Sequence, residues 1–268
     1  MRQQGRPILA AFQFLSRFPV RAELDFTPEL LKRSAKYYPL VGAAIGIVIW
    51  IIGVLASLAL PVLPVSVLLL IAWVWLTGGL HLDGWMDSAD AFLSYRPREK
   101  MLEIMKDSRV GAMGVLACVL LLLLKMSLLA TLLSRGLYVS GAAIMTAPVW
   151  SRWFMALAMR HWPTARGGEG LAGRFRGQSV RDTLLATLLA LVLSAGLLLL
   201  AAVPQWGDLN MISPMIYYAL APLLAWGVGS WMASRMSARL GGLTGDTYGA
   251  INEGLEAVLL LLACLLFQ

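Results

Sequence analysis

Apolar runs separated by shorter polar stretches set the architecture of this chain. Seven runs, at about 39–60, 64–80, 110–133, 137–159, 183–203, 214–234 and 252–267, each approach the roughly 20 residues a helix needs to cross a bilayer core. The runs are continuous and rich in Leu and Ala, with no period-two alternation, which argues for helices and against a barrel. Lipid offers no partner to a bare backbone, so a spanning segment satisfies its hydrogen bonds internally. The pattern therefore predicts an all-α, polytopic integral membrane bundle of about seven transmembrane helices. Residues 1–268 read as one membrane-embedded domain, with 1–38 as a cytoplasmic or interfacial N-terminal segment. Within that segment "ILAAFQFLSRFPV" (8–20) is too short to span and predicts an amphipathic helix in the interface. The second run closes on Gly78-Gly79 and the last is short, so either could tilt or partly re-enter.

Composition agrees with the pattern. Of 268 residues, 59% are hydrophobic and 14% charged, against about 25% charged in an ordinary soluble domain. Scattered arginines and the lack of a compact apolar core in the first 20 residues argue against a cleavable leader. Cys118 and Cys264 stand alone in Leu-rich segments and read as packing residues.

Charge then orients the bundle. The net +7 sits in the connections, as topology signals do, which points away from nucleic acid and toward lipid head groups or phosphorylated substrates. Lys and Arg number seven in 1–38, five in 81–109, five in 160–182 and two in 235–251. The alternate connections 61–63, 134–136 and 204–213 hold only Arg135. That bias places the N-terminus and every motif-bearing connection in the cytoplasm and the C-terminus outside. A homo-oligomer is left open.

The candidate chemistry begins at "GGLHLDGWMDSAD" (78–90). Asp83, Asp87 and Asp90, spaced i, i+4, i+7, fall within a roughly 60° arc of one helix face. No Lys or Arg lies between 81 and 95 to relieve them, whereas Mg²⁺ bound by a few carboxylates and substrate phosphates would. A solvated helix start, with acids drawn to the dipole, accounts for Asp83 but not for the whole stripe. His81 adjoins the cluster. In "REKMLEIMKDSRVGAMG" (98–114), Lys106 and Arg109 are three apart, which on a helix face would let them clamp a pyrophosphate.

A second acidic island, "GGLTGDTYGAINE" (241–253), also starts with Gly-Gly-Leu. Superposing the two places Asp246 opposite Asp83 and Glu253 opposite Asp90. An ancestral repeat and coincidence both account for that match. Two acidic motifs at the same ends of spans predict one shared site, with the second and sixth spans packed near each other. Glu256, Lys125 and Arg152 are ionisable residues inside spans and so functional candidates, the cations either for substrate or as partners of a buried carboxylate. "RGGEGLAGRFRG" (166–177) reads as a basic loop, either a substrate lid or a plain connection.

Together "GGLHLDGWMDSADAF", "REKMLEIMKDSRVGAMG" and "GGLTGDTYGAINE", in that order, with the early "FLSRFPV" and "KYYPLVGAAIG", resemble the cobalamin synthase (adenosylcobinamide-GDP ribazoletransferase) family over nearly the whole chain. Trp85-Met86 departs from the smaller residues expected there. The resemblance implies a Mg²⁺-dependent transferase of the bacterial inner membrane, with its active site facing the cytoplasm. Its substrates would be adenosylcobinamide-GDP and α-ribazole or the 5′-phosphate, and GMP would leave. On that reading Asp83, Asp87, Asp90 and Glu253 are catalytic, Asp83, Asp87, Asp90 and Asp246 hold metal, and His81, Lys106, Arg109, Arg152 and Asp246 bind substrate. A CDP-alcohol phosphotransferase is the nearest rival enzyme, but Asp83-Gly84 lacks the Ala-Arg that follows in its signature. An ion-coupled transporter is the rival from another class, although it would carry such acids near mid-membrane.

Overall fold

The structure, a computed structural model, describes residues 6–167, 170–175, 177–202 and 212–267. Most of the 204–213 connection, and residues 168, 169 and 176 of the basic loop, lie outside the described residues. The long elements are helices: α1 (Pro7–Leu15), α2 (Pro28–Ser34), α3 (Tyr38–Ala56), α4 (Val62–Thr77), α5 (Leu80–Leu93), α6 (Arg98–Ile104), α7 (Ala112–Ser134) and α8 (Leu137–His161), then α9 (Gly170–Gly173), α10 (Val180–Ala202), α11 (Ile212–Leu240) and α12 (Gly245–Leu266). A polytopic helical membrane protein is what these elements build.

Five segments are long and apolar enough to cross a membrane alone: Pro28–Ala56, Ala112–Ser134, Val180–Ala201, Ile212–Leu240 and Gly245–Leu266. The pair α4 and α5 supplies a sixth when counted together, although it bends by 90° at its break. The remaining expected span, the fourth along the chain, is α8, which is 25 residues long but more polar. It packs against α3, α10, α11 and α12, and its Thr146, Ser151 and Arg152 are fully buried. A helix wrapped by other helices need not be apolar for lipid's sake.

Residues 8–20 divide into a helix and an extended tail. Helix α1 stops at Leu15, and Arg17 then donates its backbone N–H to the Leu76 carbonyl, 2.7 Å away. The N-terminal segment is thereby tied to the end of α4. The buried face of α1 (Ala10, Ala11, Leu15) packs on protein.

The two Gly-Gly-Leu motifs fold alike. Gly78 and Gly79 take φ of 66° and 72°, and Gly241 and Gly242 take 71° and 148°. That backbone favours glycine, and each pair ends a helix; Gly79 is also the cap of α5, whereas α12 starts three residues after Gly242. Helix α12 is then secured by a capping box, with Thr244 Oγ1 accepting from the Thr247 N–H at 3.2 Å and Thr247 Oγ1 from the Thr244 N–H at 2.8 Å.

The islands do meet, but not through the second and sixth spans. Helix α5 packs along α12 instead, while α11 packs on α12 and α8. A Cβ on Gly84 would lie 2.6 Å from the Asp246 carbonyl oxygen, so the two backbones touch there. At the 90° break α5 turns away from the axis of α4 and packs along α12 and α7.

Behind α5 lies a buried ionic core. Lys125 Nζ on α7 sits 2.8 Å from Glu253 Oε2 and 2.7 Å from Glu256 Oε2, both on α12. Arg152 on α8 reaches Glu256 Oε1 at 2.7 Å, and the Lys125 ammonium also stands over the Trp73 ring of α4, 4.7 Å from its centroid. Two cations face two anions, and the charges cancel. A buried ion left without its partner is strongly destabilising, so this balance constrains α7, α8 and α12 to one relative arrangement.

Candidate functional site

Asp83 and Asp87 stand on successive turns of α5, the first exposed and the second half-buried. Asp246 opens α12, half-buried, with Thr244 Oγ1 donating to its Oδ2 at 3.2 Å. The negative charges of Asp83, Asp246 and Asp90 act on the half-buried Asp87 carboxyl. An acid in that setting gains from a cation. The donors are hard oxygens of the kind Mg²⁺ takes. Among the described residues no three His, Cys, Asp or Glu side chains form a ready-made cage. One or two carboxylates with water and phosphate oxygens are the usual Mg²⁺ environment, and this donor set fits it.

Two clefts open beside these acids. The first holds about 550 Å³ of space, partly open to solvent, between Phe14, Leu15, Met155, Met159, Phe175 and Tyr248, with His81, Asp83 and Asp246 also in its walls. The second, of about 420 Å³, is lined by Arg166, Gly170, Thr244 and Gly245. Ala172, Gly245 and Asp246 belong to both clefts. The clefts therefore adjoin, and Asp246 stands at their junction.

His81 faces this region from a fixed position. Its Nδ1 is 3.1 Å from Asn252 Nδ2 and 3.5 Å from Arg152 Nη2. A guanidinium only donates, and Asn252 Nδ2 also donates to Glu256 Oε1 at 3.2 Å, which settles the amide's orientation. Nδ1 must then be the acceptor and Nε2 carries the proton. With Nδ1 accepting beside the Arg152 guanidinium, the imidazole is neutral. Nε2 has no partner among the described residues.

The profile of the family described as cobalamin-5-phosphate synthase matches residues 7–264. The chain belongs to this family. It is 39% identical to an adenosylcobinamide-GDP ribazoletransferase of Brevibacillus brevis over 94% of this chain and 95% of the relative. A Pseudomonas aeruginosa PAO1 protein of the same name is 41% identical over 98% of this chain and 100% of its own length. One from Desulfitobacterium hafniense is 40% identical over 96% and 95%. No solved structure matches the chain significantly. Membership in a transferase family favours the first reading of the motifs over the phospholipid enzyme and the transporter.

Several residues singled out in this cobalamin-5-phosphate synthase family member have tasks other than those expected. Asp90 does not turn toward the other acids: its Oδ2 accepts from the Gly111 N–H and its Oδ1 from the Gly114 N–H, each at 2.7 Å. It caps α7 from the neighbouring helix, because Gly111, the residue at the cap position, has no side chain to do so. "GAMG" is glycine-rich for the same reason, since a Cβ at either glycine would lie 2.4 Å from an Asp90 oxygen. Glu253 and Arg152 are locked in the buried ionic core instead of facing substrate. Lys106 and Arg109 share no helix face, because α6 ends at Ile104 and both fall in the turn before α7. Arg109, 87% exposed at its side chain, is paired with Asp107 at 2.7 Å.

Two arginines that read only as topology charges have defined places. Arg98 donates to the Leu240 carbonyl at 2.6 Å and the Ala165 carbonyl at 2.9 Å, clasping the second Gly-Gly turn. Arg166 lines the second cleft beside Asp246.

The Asp90 cap makes a prediction about stability. Asp90→Ala removes the acceptor of two N–H groups and should cost about 1–2 kcal/mol, read as a lower thermal midpoint of the purified protein. Asp83→Ala, at an exposed position, should leave the midpoint unchanged. Equal midpoints for both variants would dispose of the capping role.

Proposed function

We propose that this chain transfers the adenosylcobinamide phosphate moiety of adenosylcobinamide-GDP to α-ribazole, or to its 5′-phosphate, releasing GMP. The observation that carries this is that Asp83 and Asp246, from two separate helices, share the wall of one cleft, that Asp246 also lines the adjoining cleft, and that the charges of both act on Asp87. Full-length likeness to proteins named for that reaction supports it.

In this reading a ribose hydroxyl oxygen bonds to the phosphorus that carries cobinamide. The bridging P–O bond breaks, and its electron pair leaves with GMP. Such transfer needs positioning and charge compensation more than a protein nucleophile. Asp83 and Asp87, with Asp246 nearby, would hold Mg²⁺, which when bound offsets negative charge on the pyrophosphate oxygens. Arg166 binds the diphosphate in the second cleft through its guanidinium. Asp246, adjoining both clefts, accepts the hydroxyl proton. His81, neutral and donating only through Nε2, offers a hydrogen bond to substrate from the wall of the first cleft and does not act as a base.

Membranes containing the chain should release GMP from adenosylcobinamide-GDP only when α-ribazole and Mg²⁺ are both supplied. Asp87→Asn should lower turnover about a hundredfold while inserting normally, as expected for several kcal/mol of lost charge compensation. GMP release at an undiminished rate in the presence of a chelator would exclude the metal role.

We also infer that the clefts face the cytoplasm of a bacterial inner membrane, a reading supported by the Lys and Arg excess in 81–109 and 160–182. Ser108 and Ser134 are exposed at opposite ends of α7. In a background lacking Cys118 and Cys264, a cysteine at Ser134 should react with an impermeant thiol reagent outside intact cells, and one at Ser108 should not. The reverse pattern would turn the bundle over.

A further inference from the structure

We infer that the apolar cleft between α1, α8 and Phe175 is the seat of the acceptor's aromatic base, which divides the site into an acceptor cleft and a donor cleft that share only the ground around Asp246. The inference rests on the proposed reaction and assigns its two substrates to two places.

Wall chemistry makes the first distinction. The first cleft presents Phe14, Phe175, Met155, Met159, Leu15 and Tyr248. Phe14 and Phe175 pack with ring centroids 5.8 Å apart, and Phe175 stands edge-on to Tyr38 at 6.4 Å, so the aromatic wall is braced. Aromatic rings and methionine sulfurs favour a flat, polarisable ligand. A benzimidazole is such a group, and of the two substrates only the riboside offers a free aromatic base joined directly to the attacking sugar.

Charge makes the second distinction. Asp83 and Asp246 in the wall of the first cleft can accept from ribose hydroxyls. The second cleft has Arg166 and the polar Thr244–Gly245 turn in place of aromatic rings, and suits a diphosphate. With the base among the rings, the ribose comes to Asp246, where a diphosphate lying along Arg166 also ends. The same carboxylates disfavour the anionic head group of a phospholipid, the other apolar ligand a membrane could supply.

The test uses the whole protein in membranes and measures KM for each substrate separately. Phe175→Leu, and Phe14→Leu at a more exposed position, should each raise KM for α-ribazole, by up to about tenfold from the lost aromatic contact. Both should leave KM for adenosylcobinamide-GDP within about twofold. Arg166→Gln should do the opposite. Free 5,6-dimethylbenzimidazole should compete with α-ribazole and not with adenosylcobinamide-GDP. If the phenylalanine variants shift KM for the GDP substrate instead, or if phosphatidylglycerol competes with α-ribazole where the free base does not, the assignment is overturned. Wild-type protein that releases no GMP at all sinks the proposed reaction. Wild-type turnover with unshifted α-ribazole KM in both phenylalanine variants sinks only this division of the site.

Discussion

The site depends on a backbone contact between α5 and α12. Where Gly84 meets the Asp246 carbonyl there is no room for a side chain, and that closeness lets acids from two distant motifs act on one another. Each motif alone is a helix start with a carboxylate in its first turn, a common and unremarkable arrangement. Joined, they bring the negative charges of Asp83 and Asp246 to bear on the half-buried Asp87 carboxyl. The two Gly-Gly turns supply the geometry, since each reverses the chain abruptly enough to set a second helix against the end of a first.

That contact is held from behind by charge. Lys125 and Arg152 are paired with Glu253 and Glu256 in a region with almost no solvent access. Such ions add little stability compared with apolar packing, but they penalise any shift that separates them. The same core reaches the site through His81, whose Nδ1 is held by Asn252 and Arg152. Ionisable residues inside crossing helices thus position the chemistry without performing it, and Asp90 does likewise by fastening α7 to α5.

The helices were legible in the sequence because lipid imposes long apolar runs, and the acidic stripe was legible because i, i+4, i+7 has one meaning on a helix. Legibility ended where function depends on partners far apart in sequence. Asp90 shares the spacing of Asp83 and Asp87, yet backbone donors 21 and 24 residues away take both its oxygens. Lys106 and Arg109 are a helical pair only if a helix is there, and Asp107 draws Arg109 away in the turn that is present. Arg98 and Arg166 looked like every other arginine of a basic connection. Phe14, Met155, Met159 and Phe175 come together from regions some 160 residues apart, and no local pattern marks them as one wall. The Gly-Gly-Leu match, cheap as a sequence coincidence, marks two helix ends with positive-φ glycines, but the turns differ beyond that, since α5 starts at once and α12 only after Thr244.

If the two islands form one site, their carboxylates fail as a unit. Removing the first already forfeits the shared effect, so a second removal has little left to take. The direct measurement is the rate of GMP release by Asp87→Ala, Asp246→Ala and the double variant, each confirmed to be inserted and folded. The double variant should be scarcely slower than the slower single variant. Losses that multiply would mean that the two motifs act independently and that the α5–α12 contact joins them in space alone.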